Sequence, residues 1–297
     1  MHGTPTTAIE PPAKQWRPAG AAAILVGGVL LSLTMGLSGC GLATIAPKTS
    51  RIVDVVAAEN FWGSIASQLG GSHARVTSII TSPNTDPHLY SSSAVNAAEV
   101  AAARIVIVNG AGYDDFMGRL LGGTSSRYRS VLTISNLLES SGTSTGADPN
   151  PHFWYDIPKI TAVARAVEEA LVTADPKDAA RLAGRLRSFD RSLRPILRLV
   201  STIRARYAGT PVAYTERVPE YLLSACGLRV VTPPQFASAI EAGNEPSPAA
   251  ILSMNEVIVG HKARVLLYNT QTVSPVTEHA RQLALDAGIP VVGVSET

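Results

Sequence analysis

Residues 51–80 read RIVDVVAAENFWGSIASQLGGSHARVTSII, and the periodicity of this stretch decides the fold. Ile52–Ala57 is a short apolar, β-branched run that reads as a strand, Phe61–Leu69 keeps helical spacing, and Val76–Ile80 is a second strand. Strands so uniformly apolar leave no face for water, which places them in a parallel sheet covered by helices on both sides. The alternation continues with helices at Ala94–Ala103 and Asp115–Leu121 and strands at Arg104–Asn109 and Ser130–Ile134.

A Ser-, Gly- and Thr-rich loop, Glu139–Pro151, ends this first pattern, and two long helical stretches follow. One spans Pro158 to Ala174; the other opens on Asp175-Pro176, a cap followed by a first-turn proline, and runs to Tyr207. Leu182, Leu186, Phe189, Leu193, Ile196, Leu197 and Val200 keep one apolar face on the second helix, and its run of arginines reads as a solvated face. Pro195 is expected to kink it or to loosen one turn. After Gly209-Thr210-Pro211 the alternation resumes, with strands at Val212–Thr215, Leu228–Thr232, Arg264–Tyr268 and Val291–Val294 and helices near Val218–Cys226, Pro248–Val259 and Val276–Ala287. The fold class is therefore α/β, with two domains, 51–157 and 210–297, bridged by a helical segment over 158–209. No internal repeat is apparent in the sequence. A cleft at the carboxyl ends of the strands is the expected ligand position.

Upstream, Lys14 and Arg17 precede an apolar stretch from Ala19 to Leu37 that closes on Leu37-Ser38-Gly39-Cys40. The stretch is long enough for a transmembrane anchor, but small residues directly before a lone cysteine look like a bacterial lipobox. Residues 1–39 then form a lipoprotein signal peptide, Cys40 carries the lipid, and 40–50 is a tether holding an extracytoplasmic body at the outer face of the membrane. Removal of Lys14, Arg17 and Glu10 takes away one of the two net positive charges, leaving a nearly neutral body. Outside one helix no basic run exists, which sets nucleic-acid binding aside. With Cys40 lipidated, Cys226 has no disulfide partner and sits in an apolar run as a packing residue.

Two of the six histidines share a local design. His88 lies in Thr85-Asp86-Pro87-His88-Leu89-Tyr90, and His152 in Asn150-Pro151-His152-Phe153-Trp154-Tyr155-Asp156. Proline fixes its own φ and biases the residue before it, so each imidazole is presented from a stiff loop. Either motif alone reads better as an ordinary loop histidine; the two together favour a borderline metal ion. Glu216 follows one predicted strand and Glu296 another, so each carboxylate is delivered to a carboxyl end, although either alone could be an exposed glutamate. Asp156 is placed as an outer acceptor for an imidazole N–H. Asp114-Asp115 is expected to cap the following helix. The Gly110-Ala111-Gly112 run before it lacks the rest of a dinucleotide fingerprint.

Asp86-Pro87-His88-x-Tyr90, Asn150-Pro151-His152-x-Trp154, the long helix, Tyr214-Thr215-Glu216 and Ser295-Glu296-Thr297 together resemble the ZnuA/TroA-like zinc and manganese receptors of metal ABC importers, in order and over the whole mature chain. The resemblance implies two α/β domains joined by one rigid helix, with a metal held in the cleft between them by His88, His152, Glu216 and Glu296. It also implies delivery of the ion to an ABC permease by a monomeric binding protein that is not an enzyme. Two departures stand out. The chain ends at Thr297, one residue past Glu296, where fraying is common. The polar loop Ser140–Pro149 has none of the histidines that many zinc members carry there.

A metal-dependent hydrolase is the second reading, but the chain has no His-Glu-x-x-His pair and no nucleophile elbow. A third is an adhesin or a receptor for a metal chelate, which would have no need of paired Asx-Pro-His motifs. Two imidazoles with two carboxylates form a fairly hard site that tilts towards manganese or ferrous iron, while the Irving–Williams order makes zinc bind tightly as well, which puts zinc slightly ahead with manganese close behind.

Overall fold

A computed structural model describes residues 52–82, 85, 90–124, 126–139 and 150–297. The leader 1–39, Cys40, the tether and the loop residues Asp86, Pro87 and His88 lie outside the described residues. Two four-stranded sheets, all parallel, organise the chain. The first contains β1 (Val53–Glu59), β2 (Ala74–Ile80), β3 (Ile105–Val108) and β4 (Ser130–Thr133) in the order β2-β1-β3-β4. The second contains β5 (Pro211–Tyr214), β6 (Arg229–Val230), β7 (Leu266–Asn269) and β8 (Val291–Val294) in the order β6-β5-β7-β8.

The crossovers are helical: α1 (Asn60–Gly70), α2 (Ala94–Ala102), α3 (Asp115–Gly123) and α4 (Ile134–Glu139) in the first half, then α5 (Ile160–Ala174) and α6 (Ala179–Tyr207). The second half adds α7 (Glu220–Ala225), α8 (Pro234–Glu241), α9 (Pro248–Val259) and α10 (Pro275–Asp286). Strand alternation sorts the core. Val55 and Ala57 of β1 face α1, α5 and α6, while Val56 and Ala58 face α2 and α3. In the second half Ala213 faces α8, α9 and α10, while Val212 and Tyr214 pack on the opposite side with Leu223 of α7. Both sheets are thus covered on both faces, as the apolar strand composition demands.

The two sheets repeat one design that the sequence does not display. Ala57 pairs with Ile107 between β1 and β3, and Tyr214 pairs with Leu267 between β5 and β7. Two residues beyond the first pair stand Glu59 and Asn109; two beyond the second stand Glu216 and Asn269. A Glu–Asn couple therefore crowns the same two central strands in each half.

α6 runs through Pro195 as one uninterrupted helix, and its packing partners bracket that position. Phe189 and Leu193 before the proline enter the first-half core, and Val200 after it is buried too. Helices α4 and α8 escape sequence reading: both are short, and α8 opens on Pro233-Pro234, which looks like a turn. Pro234 instead occupies the first helical position, where its fixed φ fits.

Candidate metal centre

Three adjacent strand ends of the second sheet build one wall of the candidate site. Glu216 follows β5, Asn269 closes β7, and Glu296 lies just past β8, all three at most 3 % exposed. Asn269 Nδ2 donates to Glu216 Oε2 at 2.6 Å, to Glu296 Oε1 at 2.8 Å and to Thr272 Oγ1 at 3.0 Å. One amide group thereby gathers both carboxylates. Burial and the neighbouring Glu296 charge push the Glu216 carboxyl from its usual 4.5 up to about 8, against the hydrogen bonds from Asn269 and Thr272 that favour ionisation.

The chain end is pinned rather than frayed. Tyr113 OH donates to Glu296 Oε2 at 2.7 Å, Tyr155 OH donates to the Ser295 carbonyl at 2.9 Å, and Thr297 Oγ1 donates to the Ser82 carbonyl at 3.2 Å. Gln271 Oε1 accepts from the Glu296 and Thr297 amides. Tyr113, Tyr155 and Ser82 all belong to the first half, so the last three residues are stitched across the cleft.

His152 supplies the facing wall and is fully buried. Its Nδ1 lies 2.7 Å from Asn150 Oδ1, the oxygen that also accepts from the His152 amide at 3.0 Å. An amide oxygen can only accept, so the ring carries its proton on Nδ1 and Nε2 is left as the ligand atom. Asn150 Nδ2 meanwhile donates to the Arg217 carbonyl and to Glu220 Oε2, both at 3.0 Å. A single side chain thus orients His152 and grips the turn that follows Glu216. Asn109, the first-half counterpart of Asn269, donates to the Pro151 carbonyl at 2.9 Å and fixes the same loop from behind. The imidazole stands edge-on to Tyr113 and Trp154, with ring centroids 5.7 and 5.2 Å away, and Phe61 stacks on Trp154 at 4.0 Å.

One ligand atom each from His152, Glu216 and Glu296 lies within 4.8 Å of the others. Ligands about 2.0–2.2 Å from a shared ion would stand somewhat closer than that, so small rotations suffice to close the set. Two buried carboxylates beside an imidazole repel one another unless protons or a cation neutralise them. The donor set therefore suits a divalent transition-metal cargo. His88, the fourth expected ligand, falls outside the described residues.

Two expectations need correction. Asp156 does not serve the His152 ring; its carboxylate pairs with Lys159 at 3.1 Å, because the tight turns at 153–155 and 157–159 carry it away while Asn150 folds back. Asp114 does stand at the N-cap of α3 with Asp115 in the first turn, but its side chain makes no capping bond. It accepts from the Asn109 and Gly110 amides at 2.7 and 2.8 Å and closes the loop that presents Tyr113; burial raises its carboxyl from 3.8 to about 6. Cys226 is buried, as read from its apolar surroundings, and desolvation raises its thiol pKa.

Sequence reading missed Tyr113, Asn269, the side chain of Asn150, and Glu59. The first three are polar groups whose partners lie far along the chain, so no local pattern marks them. Glu59 did offer a signal, a carboxylate at a strand end like Glu216. It is fully buried, among the described residues no other residue hydrogen-bonds its carboxylate, and burial pushes its pKa well up.

The model of the family of periplasmic zinc-uptake complex component A, ZnuA, matches residues 55–297. The manganese-binding lipoprotein MntA of Bacillus subtilis is 26% identical over 157 residues, 52% of this chain and 51% of that protein. MntA of Halalkalibacterium halodurans is 23% identical over 152 residues, 51% of this chain and 50% of that protein. The chain thus spans about half the length of the curated relatives it matches. The periplasmic zinc-binding protein TroA of Treponema pallidum superposes with a TM-score of 0.69 at 18% identity, over 82% of this chain and 86% of that one. FpvC of Pseudomonas aeruginosa, solved with Mn2+, gives 0.67 at 20% identity, over 82% and 88%. These likenesses establish the shared two-sheet fold with its long linking helix.

Proposed function

Because the chain belongs to the ZnuA family of zinc-uptake complex components, we propose that it is an extracytoplasmic receptor that captures a divalent transition-metal ion, zinc or manganese, and delivers it to an ABC permease. The observation that carries this reading is the convergence of two buried carboxylates, Glu216 and Glu296, on buried His152. Such a cluster costs desolvation and repulsion in the absence of a cation, and gains both back when one binds. His88 is the fourth ligand in this reading.

Capture releases protons. Glu216 holds a proton up to about pH 8, so an incoming ion takes its place, and acidification favours release. The hydrogen bonds from Tyr113 and Asn269 to Glu296 set the carboxylate before the ion arrives. The Asn150 amide keeps His152 in the ligating tautomer. No residue of the set is arranged as a nucleophile, and the role is binding and not catalysis. Residues 1–39 act as a signal peptide, Cys40 as the lipid-bearing residue and 40–50 as the tether, ahead of domains at 51–157 and 210–297 with a helical segment at 158–209. The receptor works as a monomer.

The test is to strip the chain of metal and offer zinc and manganese in competition. One tightly held ion per chain is expected, with affinity lowered by orders of magnitude in His152→Ala and Glu216→Gln. Unchanged affinity in both variants would remove these residues from the ligand set. Absence of any stoichiometric ion in the parent chain would overturn the receptor reading itself.

A further inference from the structure

Helix α6 carries eight arginines against one acid, whereas the whole chain has a net charge of only +2. The remainder of the molecule is therefore net acidic, and positive charge is concentrated on this helix. Arg187, Arg191, Arg194 and Arg198 follow at spacings of four, three and four, which sets them in an arc of about 60° on the helix. All four are exposed, on the side away from the buried Leu182, Phe189, Leu193 and Val200. Like charges at such spacing repel one another. Among the described residues no carboxylate lies within salt-bridge distance of any of the four. Leu199, 59 % exposed, flanks the stripe.

We propose that this arginine face of α6 is a docking surface for the anionic phospholipid headgroups of the membrane that bears the chain's lipid anchor. The inference rests on the reading of Cys40 as the lipid-bearing residue. Guanidinium forks match phosphate oxygens, and an apolar neighbour suits the headgroup boundary. The fold supplies the proximity. Val53, at the start of β1, lines one small cavity together with His73, Asp178 and Leu182, so the chain enters its first strand beside the N-terminal end of α6. A tether from Cys40 to Ile52 reaches at most about 40 Å, and α6 is about 43 Å long. An embedded lipid thus holds the arginine stripe within reach of headgroups at high effective concentration. The candidate metal centre sits at the opposite, carboxyl ends of the strands. Electrostatic contact of this kind is screened by salt and reversible, which leaves the receptor free to lift off towards a permease.

The test uses the mature, acylated chain anchored in vesicles of phosphatidylcholine alone or with about one-third phosphatidylglycerol. Arginine labelling by phenylglyoxal is read peptide by peptide. Arg119, exposed on α3 across the first sheet, is the internal control. On the anionic vesicles labelling of Arg187, Arg191, Arg194 and Arg198 should fall about fivefold, with Arg119 unchanged, and recover at about 0.5 M NaCl. An Arg191→Glu, Arg194→Glu variant should lose the protection of Arg187 and Arg198 while retaining bound metal, which certifies its fold. Equal labelling of the stripe on both vesicle types would overturn the proposal. Equal protection by soluble polyphosphate without vesicles would also overturn it, assigning the face to a polyanion in solution. The mass of the Cys40 peptide tests the anchor separately, so failure of the anchor and failure of the helix contact are distinguishable.

Discussion

At the residue scale, Asn269 and Tyr113 hold carboxylates whose positions would otherwise be set by mutual repulsion. Removing the Tyr113 hydroxyl in Tyr113→Phe leaves Glu296 its Asn269 bond and its backbone clamp. Metal affinity should therefore fall about tenfold rather than vanish, as read by competitive titration. A parental affinity in Tyr113→Phe would show that the hydroxyl does not position the carboxylate. Glu59 poses the opposite problem, since among the described residues no cationic side chain pairs with it. Its native-state pKa is raised, so it destabilises the fold as pH climbs past the carboxylate range and its proton must leave. Glu59→Gln should match the parent in melting temperature near pH 5 and exceed it near pH 8; a constant difference across that range would reject the account.

At the element scale, two segments carry more than their sequences suggest. The three residues after β8 form no regular structure, yet they bring one candidate ligand and three hydrogen bonds with the first half. Deleting Ser295–Thr297 should abolish tight metal binding while leaving both cores intact, since the core clusters include none of these residues. Titration together with circular dichroism separates the two effects, and a collapse of the fold would contradict the assignment. Helix α6 is the second case. Pro195 costs it a backbone hydrogen bond in mid-helix, so Pro195→Ala should add about 1–2 kcal/mol in urea unfolding, after allowing for the gain in unfolded-state entropy. A destabilised variant would mean that the proline shapes a bend the packing requires.

At the scale of the whole molecule, metal and protons compete for one cleft. The native state keeps the Glu216 proton up to about pH 8, whereas the unfolded chain loses it near 4.5. That group's contribution to metal-free stability is fully present below about 4.5 and is lost as pH rises through about 8. Asp114, raised to about 6, adds in the same direction. The melting temperature of stripped protein should thus fall more steeply between pH 5 and 8 than that of Glu216→Gln, and the rise on adding zinc should grow with pH. Equal slopes for parent and variant would contradict the raised carboxyl.

Uniformly apolar strands alternating with amphipathic helices determine two parallel sheets and a long link, because each period is a local property that survives without knowledge of the partner strand. Likewise Asx-Pro before His152 and a strand before Glu216 and Glu296 announce stiff, strand-end presentation from a few neighbouring residues. What only the tertiary structure decided is convergence. The register that crowns both halves with a Glu–Asn couple, the reach of Tyr113 to Glu296 across 183 positions and the grip of Asn150 on Arg217 all depend on how distant strand ends meet. The same holds for the exchange of Asp156 for Asn150 beside the imidazole. Long-range hydrogen bonds leave no period in a sequence, since each needs only one donor and one acceptor, and their meeting is fixed by packing.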